Sequence, residues 1–228
     1  MSSNSILIIG ASRGIGLGLT REFADRGWSV FASQRSASSE LEKLAGSSDG
    51  NVQVVSADVT DGASITALRD AIGQDSLQAL VVNAGVYGPS DQSITAMGRD
   101  DVADIMMTNS VGPAQAAVTL LPLLRKGGVI GMMTSKMGSI DDSSGGANHY
   151  RVSKVAQNML ARSVFENHAK ERDIAVLSLH PGWVQTDMGG PNATITVDQS
   201  VKGLADLIEG QKTPEHRFLA YDGAEVPW

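Results

Sequence analysis

The chain alternates, from end to end, short apolar runs rich in β-branched residues with longer stretches whose apolar residues recur at three- and four-residue spacing. Runs at 6–9, 28–32, 52–56, 77–82, 128–133, 174–179 and 217–220 are almost uninterrupted by polar residues, as strands covered on both faces require. Between them, Ile65, Leu68 and Ile72, or Val152, Val155, Met159 and Leu160, each form a stripe to lay against a sheet. Strand and helix in repetition predict an α/β fold with a seven-stranded parallel sheet. At 228 residues, with 42% hydrophobic and 19% charged, the chain can bury a sizeable core, which excludes disorder, collagen and coiled coil. No repeat, linker or shift in composition marks a second domain, so residues 1–228 are read as one, with the Ser/Gly-rich stretches at 36–50 and 138–146 as surface loops.

Eighteen Lys and Arg against 25 Asp and Glu give a formal charge of -7, which argues against a nucleic-acid partner. The lack of cysteine removes disulfides and thiolate chemistry and fits a cytoplasmic address. Four scattered His have no ligand spacing, so no metal is expected. The first apolar run is too short for a signal segment and nothing later approaches a membrane span, so no membrane partner is expected either.

After the first run comes Gly10-Ala11-Ser12-Arg13-Gly14-Ile15-Gly16, followed by a helical pattern through Leu19 and Phe23. A strand, a Gly-rich turn and a helix N-terminus present backbone N–H groups to an anion, and pyrophosphate is the natural guest. The spacing is G-x-x-x-G-x-G, not the general dinucleotide fingerprint, and a bend that merely packs helix on strand explains it equally well. The same residues read as G-x-S-x-G, with Ser12 as a hydrolase nucleophile and Asp187 or Asp206 with His216 completing a triad. That reading is disfavoured, because an elbow on the first strand leaves no upstream segment to supply the second oxyanion donor.

Some twenty residues on, the second strand ends in Ser33-Gln34-Arg35. An acidic residue there would accept from a ribose 2'-hydroxyl, whereas neutral Gln34 flanked by Arg35, with Arg13 from the first turn, suits a 2'-phosphate. NADP(H) is therefore preferred, with NAD(H) as the alternative. Asp58-Val59 follows the third strand and can meet an adenine edge or simply form a turn.

Tyr150 and Lys154 stand four residues apart on one face of a predicted helix. Ser135 ends the fifth strand and Asn83-Ala84-Gly85 the fourth, at the carboxyl edge where open α/β sheets bind ligands. Pro113 has no N–H for the carbonyl of Asn109, so the helix must loosen there, with a water or Lys154 as a guest for that carbonyl, or with a plain kink.

Taken together, the glycine turn, Asp58, Asn83-Ala84-Gly85, Asn109, Ser135, Tyr150 with Lys154, and Pro181-Gly182 followed by Thr186 resemble the short-chain dehydrogenase/reductase family over essentially the whole chain. The stretches at 180–188 and 221–228 look most like its C-factor and sniffer-type carbonyl reductase branch. The resemblance implies a Rossmann-type, doubly wound sheet with helices on both faces, a three-layer sandwich. It implies carbonyl–alcohol interconversion with Asn109, Ser135, Tyr150 and Lys154 as the catalytic four. It implies cofactor contacts from Gly10, Ser12, Arg13, Gly14, Ile15, Gly16, Arg35, Asp58, Val59, Asn83, Ala84, Gly85, Tyr150, Lys154, Pro181, Gly182, Val184 and Thr186. Tyr150 would be acid for reduction and base for oxidation, its pKa lowered by Lys154 and the nicotinamide. Ser135 would polarise the carbonyl, and Asn109 would hold a water that reprotonates the pair. Two positions depart from the common pattern: Val82 replaces a first Asn, and the 15 positions from Ser135 to Tyr150 are slightly more than usual, so Ser135 is chosen over Ser139.

Between Pro181 and the last helical pattern near Asp198 only a short lid fits, so an open site is expected. Tyr87, Met137, His149, Trp183 and Met188 are expected near it, suiting an apolar or aromatic aldehyde or ketone. A sensor or signalling protein that binds the cofactor with little turnover is the alternative. The helical patterns at 101–124 and 148–170 can pair copies into a homodimer or homotetramer.

Overall fold

The computed structural model describes residues 4–228. Seven strands, β1 (Ser5–Ile9), β2 (Ser29–Gln34), β3 (Val52–Ser56), β4 (Leu77–Val82), β5 (Leu124–Met133), β6 (Ala175–His180) and β7 (His216–Ala220), form one sheet in the order β3-β2-β1-β4-β5-β6-β7, every pair parallel. The α-helices are α1 (Gly14–Asp25), α2 (Ser39–Gly46), α3 (Gly62–Ile72), α4 (Arg99–Met106), α5 (Gly112–Leu120), α6 (Asn148–Val164) and α7 (Val197–Gly210). Because side chains alternate along a strand, β1 feeds two cores. Ile6 and Ile8 join Leu19 and Phe23 of α1 and Leu204 and Ile208 of α7, while Leu7 and Ile9 join Leu68 of α3, Leu120 of α5 and Ala161 of α6. Helices on both faces of a parallel sheet make the Rossmann-type sandwich, and the chain order reverses at β1, opening a crevice beyond the carboxyl ends of β1 and β4.

Several local expectations are corrected. β2 starts at Ser29 because Trp28 packs edge-on against Phe23, ring centroids 5.0 Å apart, and its indole N–H donates to Glu209. β5 starts four residues early, its pairing with β4 shifting register between Leu77 and Ala79. The stretch at 36–50 holds α2, whose Leu41 N–H is capped by the Ser38 hydroxyl, and is not loop throughout. The largest surprise is α6. Val152 and Met159 are exposed, and the buried stripe is Ser153, Lys154, Gln157, Asn158, Ala161 and Val164. Both stripes have helical period, so spacing does not choose between them; the polar one goes inward because it meets hydrogen-bonding partners there. Among the described residues no helix is long and apolar enough to cross a membrane.

Candidate active site

The glycine turn lies at the mouth of the crevice. Its first residues are committed to the neighbouring strands: the Gly10 and Ala11 N–H groups donate to the Ser33 hydroxyl and carbonyl, and the Gly10 carbonyl accepts from the Asn83 amide at 2.8 Å. Gly10 therefore shapes the cradle, Ser12 and Gly14 are partly exposed, and Ile15, also partly exposed, packs against the core between α1 and the sheet. Gly16 has no room for a side chain, because a methyl there would overlap the Gly10 carbonyl and come within 2.7 Å of Asn83 Nδ2. That crowding brings the N-terminus of α1 hard against the sheet edge, the geometry a pyrophosphate cradle needs.

On the other side of the crevice four chain segments converge. The helical run at 99–123 loosens as a π-turn, Met107–Val111, directly before Pro113, as its missing N–H demands. Asn109 sits inside this turn, wholly buried, and its amide clamps Val86 by accepting from Val86 N–H and donating to Val86 O, both at 2.8 Å, with a further bond to Ser153 Oγ. The loop after β4 is thereby tied to α6. Gly85 lies between the two, since a methyl on it would stand 3.2 Å from Asn109 Oδ1 and 3.7 Å from Lys154 Nζ. Ser135 stands two residues past β5 and caps the short turn Lys136–Gly138, accepting from Met137 N–H at 3.1 Å. Gly138 presses that turn onto α6, where a methyl would reach 2.8 Å from the Lys154 carbonyl carbon. Ser139 instead accepts from Asp142 N–H and holds the following loop.

Lys154 does not serve the Asn109 carbonyl: its ammonium donates to Met133 O at 2.9 Å and Gln157 Oε1 at 2.8 Å. Burial with no carboxylate to balance it pushes the Lys154 pKa down to about 7. The expected lowering of the phenol by this lysine is also absent from the structure as it stands. Although Tyr150 as a whole is only partly buried, desolvation of its hydroxyl pushes the pKa up to about 12, opposed by the Ser135 hydroxyl and reinforced by neighbouring Tyr87. The Lys154 nitrogen is 5.7 Å from the phenol ring centroid.

The rim is built by a residue with no sequence signal. Gln92 donates to the carbonyls of Tyr87 and Pro89 and accepts from Tyr150 N–H at 3.0 Å, while its own carbonyl takes Asn148 N–H at 3.1 Å. It ties the loop bearing Tyr87 to the first turn of α6, and the Tyr87 and Tyr150 rings stand 5.1 Å apart. Gln92→Ala is expected to cost about 2 kcal/mol and to speed hydrogen exchange at the Tyr150 amide; unchanged exchange there would show that the clamp is idle. His149, expected near the site, is 1% exposed at the start of α6 with both ring nitrogens unpartnered.

From Pro181 the chain arches back over the glycine turn. Val184 is buried and bridges to Ile195, Ser200 donates to the Pro181 carbonyl, Thr186 stands against Gly14, and Arg13 pairs with Asp187 at 3.0 Å across the mouth. Trp183 and Met188 are about half exposed, and Met137 is partly buried. Beyond β2 a cavity of about 390 Å³ is lined by Gln34, Arg35, Ser36, Ala37, Glu42, Val54, Val55 and Ser56. Arg35 Nη1 lies 3.8 Å from Asp58 Oδ2. Asp58 also accepts from the N–H and hydroxyl of Thr60, which together with Arg35 keep its pKa below the usual carboxylate value, so it is a turn former as well as a crevice residue. Val59 faces the core.

The hydrolase arrangement does not exist. His216 begins β7, at the opposite end of the sheet, and its ring meets Ser178 Oγ at 3.1 Å; Asp187 pairs with Arg13 and Asp206 with Arg26. Among the described residues no three His, Asp or Glu side chains gather as a metal set.

The family model described as short chain dehydrogenase matches residues 4–195. The C-signal protein of Myxococcus xanthus is 44% identical over 160 residues, 67% of this chain and 93% of that protein. A carbonyl reductase from Pseudomonas aeruginosa PAO1, solved in complex with NADP, superposes with a TM-score of 0.91 at 36% identity, covering 100% of both chains. The carbonyl reductase Sniffer of D. melanogaster superposes at 0.89 and 32% identity, again over 100% of both.

Proposed function

The chain belongs to the short chain dehydrogenase family of oxidoreductases, and on that premise we propose that it reduces aldehydes or ketones with NADPH, Tyr150 donating the proton. The observation that carries this reading is the convergence at one crevice of the Tyr150 hydroxyl, the Ser135 hydroxyl acting on it, and a buried lysine one helical turn away.

The crevice fits a dinucleotide. The crowded glycine turn admits phosphates to backbone N–H groups, Arg35 lines the cavity beyond β2, and Thr186 with the segment after Pro181 roofs the turn. The nicotinamide, when bound, supplies the hydride that the carbonyl carbon accepts. Tyr150 then gives its hydroxyl proton to the carbonyl oxygen, and Ser135 Oγ hydrogen-bonds that oxygen as charge develops. With a pKa of about 12 the phenol is protonated at neutral pH, the form that reduction needs. Lys154 steadies the phenolate left behind. Asn109 acts through its clamp on Val86 and Ser153, and its backbone carbonyl is the seat for the water that returns a proton. Asn83, Ala84 and Gly85 form the floor. Half-exposed Tyr87, Trp183 and Met188 form an open apolar rim that suits bulky or aromatic carbonyls.

Exposed Met107, Val152 and Met159 on the two long helical runs are the apolar surface that self-association would cover.

The test is NADPH oxidation, followed at its absorbance, with diketones, quinones and aromatic aldehydes. No carbonyl-dependent oxidation across the panel would leave the second reading, a binder with little turnover, which the similarity to the C-signal protein favours. For the cofactor, Arg35→Ser is expected to weaken NADPH binding about tenfold while leaving NADH unchanged. Arg13 is held by an exposed ion pair worth at most about 1 kcal/mol, which a phosphate can displace. Equal losses for both dinucleotides would remove the 2'-phosphate assignment.

A further inference from the structure

Gln157 is fully buried on the inward stripe of α6, three residues beyond Lys154. An ammonium only donates, so the amide must turn its oxygen to Lys154 Nζ, and that orientation leaves the buried Nε2 with no acceptor. An apolar side chain of the same length would fill this place with no stranded donor, so packing does not account for a glutamine here. Its oxygen does one thing: with Met133 O it engages two of the three N–H donors of Lys154 and leaves one for a partner in the crevice.

We propose that Gln157 is a positioning residue, whose side-chain oxygen keeps the Lys154 ammonium charged and fixed in direction beside Tyr150. The proposal rests on the reading of Tyr150 and Lys154 as the proton-transfer pair. The groups packed around the lysine are Tyr150 on α6, the Met133 carbonyl at the end of β5, Gly138 of the turn that follows it, and Gly85 after β4, which has the Asn109 amide beside it. Among the described residues no carboxylate pairs with it; burial disfavours its protonated form, and the two oxygens it reaches, of Met133 and Gln157, act the other way by accepting from the ammonium.

Two near-isosteric changes should move the lysine in opposite directions. Gln157→Met removes the acceptor and is expected to shift the Lys154 titration down by about one pH unit. Gln157→Glu puts a carboxylate on the same atom and should shift it up by at least as much. The titration is read by lysine side-chain NMR on the ligand-free protein, with the Lys154 signal identified by its loss in Lys154→Met. The matching limb of the pH profile of kcat/KM for carbonyl reduction should follow in both variants.

A side chain that only fills space would alter the melting temperature and leave both profiles in place, and that outcome overturns the proposal. So does a pH limb that stays put while the lysine titration moves. If Gln157→Met fails to fold, the upward shift in Gln157→Glu is still required. Wild-type protein with no carbonyl-dependent turnover would defeat the proton-transfer reading, and the NMR titration would still decide whether Gln157 sets the lysine.

Discussion

Tyr150→Phe should fold, bind NADPH as the unaltered protein does, and reduce carbonyls about a thousandfold more slowly, a loss of roughly 4 kcal/mol of transition-state stabilisation. Phenylalanine keeps the aromatic contact with Tyr87 at 5.1 Å and the backbone bond from the residue-150 N–H to Gln92, so the ring and helix stay in place. Only the hydroxyl is lost, the group on which the Ser135 hydroxyl acts. Lys154 spends two of its N–H groups on Met133 and Gln157 and is set to hold the phenol's charge, not to replace it as the donor. The measurement is single-turnover oxidation of bound NADPH, with melting temperature and cofactor fluorescence as controls. Activity within tenfold of the unaltered protein would assign the proton to another group.

Gly16→Ala is expected to have the second largest effect, on both stability and cofactor binding. The added methyl meets backbone, the Gly10 carbonyl, and the Asn83 amide that holds it; neither is the free end of a flexible side chain. Relief requires α1 to move off the sheet edge, which costs about 3 kcal/mol and lowers Tm by roughly 6–12 °C for a chain of this size. The same displacement separates the helix N-terminus from the strand end, so NADPH affinity should fall with stability. Calorimetry and cofactor fluorescence measure the two. A variant that melts and binds like the parent would mean that the turn has slack the geometry does not show.

Much of this was legible in the chain. β3 and β4 lie where their apolar runs lie, at Val52–Ser56 and Leu77–Val82, since a continuous run between turn residues leaves a strand few alternatives. Pro113 announced the loosened helix around Asn109, because a missing N–H removes a rung whatever the surroundings. Ser135 was readable as a position just past a strand, at the sheet edge where ligands gather, whereas its grouping with Asn109, Tyr150 and Lys154 came from the family resemblance.

What stayed hidden was direction. Val152 and Met159 have the same period as Ser153 and Gln157, and periodicity names a stripe without saying which one faces inward. His149 was expected near the site, and only the structure showed that its ring is buried. Gln157 had a faint signal, three positions from Lys154 and hence on its face; Gln92 had none, because a loop has no period.

The sequence by itself determined the succession of strands and helices, the parallel sheet and the edge at which chemistry-bearing residues gather, because these follow from hydrophobic period, turn residues and chain connectivity; the doubly wound arrangement was read from the family resemblance. Only the tertiary structure decided which partners those residues hold. Lys154 turned to Gln157 and Met133, Arg13 to Asp187, and the Tyr150 pKa rose, because hydrogen bonding and desolvation depend on what the other segments bring into contact.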